Sequence, residues 1–407
     1  MNLRKFMAAA LAAVFCVTAA GCSKSDGASG ESTSATESVS EPEQQTDDEF
    51  DQNITAMELT ADIKVGWNLG NTLDANGGTG VSQETSWGNP RTTPELMQGV
   101  KDAGFNAVRI PTTWENQMDE NNVINAEWMA RVKEIVDYAY DLDMYVILNM
   151  HHEDWYQPYA DKEEEITAKL QTCWTQIAEE FKGYDQHLIF EGMNEPRWKN
   201  TEFEWNGGND EGRTVVNHLN KAFVEAVRAT GGNNQYRFLM VCPYAANSGE
   251  SALAALELPD DDRLIVSVHA YIPYSFALQN PGSDKWVASK ANCTNEIDTL
   301  AEVLNRLFIS KGQAVIIGEC GAMNRQNENY RAAWAEYYFS TFKNIGIPCF
   351  WWDNGAFMSG ETFGLFDRYN NVPRYNLLVQ GIMNGVNGVT GVDYDALAEE
   401  SAASAAA

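Results

Sequence analysis

Basic residues are scarce in this chain. Only 28 Lys and Arg stand against 58 Asp and Glu, leaving its 407 residues with a formal charge of −30. So acidic a balance excludes nucleic acid as a partner, because phosphates need Lys and Arg counter-charges. It suits a polypeptide that handles neutral ligands. Cysteines are few and widely spaced. Beyond Cys16 and Cys22, five remain: Cys173, Cys242, Cys293, Cys320 and Cys349. An odd number at such spacings is no disulfide framework and offers no metal-type pair, so they read as small buried side chains. No Gly-x-Gly-x-x-Gly loop follows a first strand, which removes the signature of a dinucleotide-binding sheet. His151 and His152 are adjacent rather than one helical turn apart, the wrong spacing for a helix-borne zinc pair. Ser248, in Asn247-Ser248-Gly249-Glu250, lacks the nucleophile-elbow pattern. No cofactor and no metal are expected.

Aromatics, by contrast, are plentiful. Twelve Trp and sixteen Tyr exceed what a core alone demands. The chain opens with Arg4 and Lys5 before an apolar stretch from Phe6 to Ala20, too short and too Ala-rich for a comfortable membrane span. Residues 1–21 therefore read as a signal peptide. Its end, Thr18-Ala19-Ala20-Gly21-Cys22, resembles a bacterial lipoprotein signal, with Ala19 where that pattern usually has Leu. Lipidation of Cys22 after cleavage is the expectation, and multiple acyl chains would anchor the protein stably. That makes it a secreted, surface-tethered lipoprotein whose only contact with the membrane is its lipid. Residues 22–54 are Ser, Thr and acid with almost nothing apolar, too little to bury for folding, and read as a flexible linker. Residues 390–407 are low in complexity and read as a C-terminal tail that frays or forms a short helix.

Between them, residues 55–389 alternate. Apolar runs of strand length occur at Val65–Trp67, Ala107–Ile110, Met144–Leu148, Leu188–Phe190, Arg237–Val241, Leu264–Val268, Ala314–Ile317 and Pro348–Trp351. The stretches between them repeat apolar residues every three or four positions, as in Trp128, Val132, Ile135, Val136 and Ala139, or Ile166, Leu170, Trp174, Ile177 and Phe181. Thr93-Pro94-Glu95 offers an N-cap, a first-turn proline and a first-turn acid. Strands alternating with helices predict a parallel sheet, and eight strands are the number that closes an α/β (β/α)8 TIM barrel in a single catalytic domain. An open doubly wound sheet is the alternative.

In such a barrel, chemistry gathers where strands end. The fourth strand runs into Asn194-Glu195 before Pro196 stops it. The seventh runs into Glu319. Other ends carry Asn68, Arg109, His151-His152, His269-Ala270-Tyr271 and Trp352-Asp353-Asn354. Two carboxylates across a barrel mouth are what glycoside hydrolysis needs. One protonates the leaving oxygen, and the other attacks or activates water. Trp faces supply platforms for sugar rings.

The motifs GWNLGNTLDA (66–75), VRIPTTW (108–114), LNMHHE (148–153), FEGMNEPR (190–197), VHAYIP (268–273), IIGECGA (316–322) and WWDNG (351–355) resemble glycoside hydrolase family five. The likeness is strongest to its bacterial endo-β-1,4-glucanases and xyloglucanases, subfamily four. It runs in the family's order from about Leu59 to Met383. The resemblance implies Glu195 as acid/base and Glu319 as nucleophile; because two charges this close repel and Arg109 favours the anion at Glu319, the proton of the free site is expected on Glu195. It places Arg109 beneath Glu319, Asn194 on the sugar 2-hydroxyl, Tyr271 orienting Glu319 and His269 tuning Glu195. His151, His152, Asn68, Asn354 and Trp352 would bind substrate, with Trp352 stacking under a sugar and Trp351 in or behind the barrel wall. Trp155, Trp198 and Trp205 either floor outer sugar subsites or cover their loops. The reading is a retaining endo-β-1,4-glucanase, a cellulase acting as a monomer on cellulose-type, mixed-linkage or xyloglucan chains. A β-mannanase on the same pair is one rival. A surface lipoprotein that binds glucan without chemistry is the other.

Overall fold

A computed structural model describes residues 49–406. The expectations for residues 1–21 and for Cys22, and most of those for the linker, lie outside the described residues. Eight parallel strands form a closed barrel in chain order. They are β1 (Gly66–Leu69), β2 (Ala107–Ile110), β3 (Tyr145–Asn149), β4 (Leu188–Glu191), β5 (Leu239–Val241), β6 (Leu264–His269), β7 (Ala314–Cys320) and β8 (Cys349–Asp353). β1 pairs with both β2 and β8, which closes the ring. Helices fill the intervals, among them α1 (Ala56–Asp62), α2 (Pro94–Asp102), α3 (Ala126–Tyr140), α4 (Glu163–Glu180) and α5 (Asp210–Ala229). Capping follows the residues: Thr93 Oγ1 accepts from the Leu96 amide to start α2, and the Asn125 side chain accepts from Glu127 and Trp128 to start α3. The apolar stripes of α3 and α4 are buried against the barrel wall.

Alternation along each strand sorts side chains to the two faces of the wall. Outward residues such as Val108, Val146, Phe190 and Trp351 join the helices in one large apolar cluster. Inward residues form a second cluster that includes Ala107, Ile147, Ile189, Ile265, Ile316 and Phe350. Its lower end is closed by Leu59 and Ile63, on and just after α1, and by Phe50. The next inward layer toward the strand C-termini is polar, holding Asn68, Arg109, Asn149, Glu191 and Ser267, all with zero exposure. The apolar lower layers fill the barrel, and this polar layer carries the site above them.

One boundary differs from the sequence reading. The folded body begins before residue 55: Phe50 is buried and lies 6.3 Å from the Phe238 ring, and the Arg263 guanidinium bonds the Gln52 and Ile54 carbonyls. Phe50 and Ile54 pack on the lower apolar cluster and hold the segment there. The C-terminal tail takes the helical one of its two expected forms, over Tyr394–Ala406, and the helix's first residue is buried and donates to Glu336 Oε2 at 2.7 Å. Among the described residues, no helix is long and apolar enough to cross a membrane.

Candidate active site

Arg109 stands at the centre of the polar layer. Its Nε donates to Glu191 Oε2 at 2.7 Å, its Nη1 to Glu319 Oε1 at 2.8 Å and to Asn68 Oδ1 at 2.9 Å, and its Nη2 to Asn194 Oδ1 at 2.7 Å. Burial works against the charge on this guanidinium, but Glu191 and Glu319 outweigh it and raise its pKa further. A planar five-donor fork meets four acceptors at once, which a lysine could not do. Glu191 is held in turn by the Asn149 amide at 3.0 Å and by the Ser267 hydroxyl.

Glu319 reaches the mouth through an irregularity. The pairing of β6 with β7 steps from Val268↔Ile317 to His269↔Glu319, so β7 carries one extra residue, Gly318. Without that bulge, alternation would send Glu319 to the outer face. A Cβ on Gly318 would stand 3.2 Å from Ser267 Oγ and 3.3 Å from His269 Nε2, and the neighbours would have to give way. The Tyr271 hydroxyl donates to the other oxygen of Glu319, Oε2, at 2.8 Å.

Glu195 lies just beyond the end of β4, on the loop to α5. His269 Nδ1 is 2.8 Å from Glu195 Oε1 and 3.6 Å from Glu319 Oε2. One donor atom from each of Glu195, His269 and Glu319 falls within 4.8 Å of the others. Burial favours the neutral carboxyl at Glu195, yet the hydrogen bond and charge of His269, helped by Arg197 and His152, draw its pKa down to about 2. On His269 burial lowers the pKa, but Glu319 and Glu195 raise it above its ordinary 6.5. Both shifts favour the proton on the imidazole between the two carboxylates over the expected position on Glu195.

The remaining expected contacts divide. His151 is buried, and its ring lies parallel to Trp352, with centroids 5.7 Å apart and planes 2° apart. The Asn149 amide nitrogen is 3.0 Å from His151 Nδ1. Burial holds His151 far below the usual imidazole range and brings His152 to about 4, so both rings are neutral. His152 is half-open to the cleft beside Trp87, at 5.6 Å between rings. Trp351 is fully buried behind the wall, where its Nε1 bonds the Phe363 carbonyl.

Asn68 is not a substrate contact. It has zero exposure, its oxygen accepts from Arg109, and its nitrogen donates to the Gly318 carbonyl at 2.9 Å. Its inward position puts it below the mouth, where it aligns the arginine. Asn354 is likewise occupied: its nitrogen bonds the Glu361 carbonyl, and its oxygen accepts from the Ala356 amide at 3.0 Å, so it shapes the loop after β8. Glu191 and Arg197 were overlooked in the sequence. The first was detectable as an acid closing a buried apolar run. The second carries no sequence signal beyond its place after Asn194-Glu195-Pro196.

Among the described residues, two groups bring enough donors together to meet a cation: Glu195, His269 and Glu319, and Asp74, His151 and His152. Both sets are spoken for. Glu319 accepts from Arg109 and Tyr271, Glu195 is held by His269, and Asp74 accepts from the Asn71 and Thr72 amides at 3.0 and 2.6 Å. What the arrangement can do chemically is displace at one carboxylate while passing a proton through the other.

Comparison with known proteins agrees. The family described as Cellulase (glycosyl hydrolase family 5) matches residues 73–358. Endoglucanase A of Clostridium longisporum is 47% identical over 325 residues, covering 77% of this chain and 62% of the relative, so the chain spans less than two thirds of that protein's length. A broad-specificity endoglucanase from Ruminococcus champanellensis, solved with bound cellotriose, superposes with a TM-score of 0.79 at 43% identity, covering 81% of this chain and 98% of that one. A xyloglucan-specific endo-β-1,4-glucanase from a metagenomic library, in complex with cellotriose, gives a TM-score of 0.78 at 42% identity, covering 82% and 98%. Barrel, matched residues and relatives together place the chain in glycosyl hydrolase family 5.

Proposed function

We propose that this protein is a retaining endo-β-1,4-glucanase that cleaves soluble β-glucans by double displacement. The observation that carries the reading is the approach of Glu195 and Glu319 to one shared imidazole, whose Nδ1 is 2.8 Å from Glu195 Oε1 and 3.6 Å from Glu319 Oε2. Retaining pairs stand roughly 5–5.5 Å apart, too close for an interposed water, whereas inverting pairs leave room for one.

Glu319 is the nucleophile. Arg109 and Tyr271 each fix one of its oxygens, so its carboxylate is aimed before substrate arrives. A glucan chain covering Glu195 strips water from that anion and drives the His269 proton across 2.8 Å onto it. Glu195 then protonates the leaving oxygen as the Glu319–C1 bond forms and the glycosidic bond breaks. In the second half, water enters on the vacated side, gives its proton to Glu195 and attacks C1, releasing Glu319. Asn194, held by Arg109, faces the sugar 2-hydroxyl, and Trp352 with His151 forms the wall on the non-reducing side.

The named relatives include a broad-specificity and a xyloglucan-specific endoglucanase. We infer a substrate range of β-1,4-linked glucans, plain or branched. Secretion and anchoring through Cys22 follow from residues 1–22 and are part of the same proposal. The deciding experiment is a reducing-sugar assay on carboxymethylcellulose, barley glucan, xyloglucan and mannan side by side. Release from the glucans with little from mannan is expected. Mannan as the best substrate would move the enzyme to the rival class, and no release from any would leave a binder.

A further inference from the structure

We propose that Arg197 is a positioning residue for the acid/base carboxylate: it grips the oxygen of Glu195 that His269 leaves free, and Glu204 and Trp205 set how strongly it does so. The inference rests on the role given to Glu195 above. Arg197 Nη1 donates to the Glu195 carbonyl at 2.9 Å and lies 3.3 Å from Glu195 Oε2, while His269 holds Oε1. The carboxylate is thus clamped from both sides, which fixes the direction in which it presents a proton. Arg197 itself is not free. Its Nε is 3.3 Å from Glu204 Oε1, and Glu204 Oε2 accepts from the Asn200 amide at 2.8 Å. Its guanidinium carbon sits 4.0 Å over the Trp205 ring. Trp205 is 55% exposed, and its carbonyl is pinned by the Asn247 side chain at 3.0 Å. Such stacking screens one face of the cation from water and keeps its field directed at its partners.

The sign of the effect follows from charge. A cation against Glu195 favours its anion, so it strengthens Glu195 as an acid. Glu204 competes for the same cation. Other charged or titratable groups facing Glu195 are His269, Glu319, Tyr271, His152 and Glu361, and the neutral Tyr156 and Cys242 also feel its field. Of these, His152 and Tyr156 also feel the charge of Arg197, which works to lower the pKa of each.

The test is the alkaline limb of the kcat/KM profile on an unactivated cello-oligosaccharide. Arg197→Gln should move that limb up by about one pH unit. Glu204→Gln, close in shape, should move it down by about half a unit. Arg197→Lys should leave the limb near its original position but lower kcat, because the fork is lost. Losses in Arg197→Gln should be about tenfold larger on the oligosaccharide than on an activated aryl glycoside, which needs little acid help. Should Arg197→Gln fail to fold, Trp205→Ala replaces it: wetting the guanidinium should shift the limb upward, opposite to Glu204→Gln. An unmoved limb, or shifts of one sign in both, overturns the proposal. Glu195→Ala serves as reference. If it too keeps the limb, the role of Glu195 itself falls, and the proposal with it.

Discussion

Glu191 and Arg109 form an ion pair at 2.7 Å in which neither side chain has any exposure. Removing one partner of such a pair leaves a buried charge uncompensated and costs about 3–5 kcal/mol. Glu191→Ala should therefore lower unfolding free energy by about that much, measured by urea denaturation. Activity should fall as well, because Arg109 would lose the anchor that aims it at Glu319. A variant with wild-type stability would show that Glu319 alone satisfies the arginine.

The architecture was legible because its signals are local. Apolar runs and helical stripes stand in plain alternation, and β2 ends where its residues predicted. The chemistry at the mouth was only partly legible. Asn68 and Asn354 share the strand-end position of true cleft residues, but which face a strand end presents depends on pairing with its neighbours, which no single segment encodes. Glu319 is the reverse case. Its motif was readable, while the Gly318 bulge that turns it inward shows only in the register against β6. The shared proton escaped because it depends on His269 lying between two acids far apart in sequence.

Asn68→Ala tests that correction directly. It removes an acceptor from Arg109 and a donor to Gly318. Stability should drop by about 1–3 kcal/mol for the buried groups left unpaired, and kcat should fall while KM for glucan stays within about twofold. A rise in KM with kcat intact would restore Asn68 as a sugar contact.

Trp352→Ala removes the ring that lies parallel to His151. Aromatic stacking is worth on the order of 1–3 kcal/mol, so kcat/KM should fall about tenfold or more. Near-normal turnover of cello-oligosaccharides would show that Trp352 only packs against the wall.

Electrostatics at His269 set a pH window. Its pKa is raised above 6.5 in the folded protein. The stabilisation from protonating it is fully present below the unfolded value and is lost as pH rises through the folded one. Stability and kcat/KM should thus decline together above the usual imidazole range, as the site loses its one transferable proton. The values belong to the His269–Glu195 pair and not to either group alone. NMR titration of the His269 ring should report a midpoint above 6.5, and a midpoint below it would return the proton to Glu195.

Glu195 and Glu319 bring the chemistry to one decisive measurement. Both carboxylates converge on one imidazole, with His269 Nδ1 2.8 Å from Glu195 Oε1 and 3.6 Å from Glu319 Oε2, an approach that fits a retaining pair in which Glu319 itself makes the first displacement. Early proton NMR of the wild-type products should show the β-anomer first. Glu319→Gly should abolish hydrolysis, and azide, entering the space left by the carboxylate, should restore turnover as an α-linked glycosyl azide from an activated substrate. Glu195→Ala should leave attack on an activated aryl glycoside largely intact and slow release of the covalent intermediate, because only the second half then lacks its base. The two variants thus fail at different steps, which a single shared structural role could not produce. Appearance of the α-anomer first would mean inversion, and Glu319 could not then be the nucleophile.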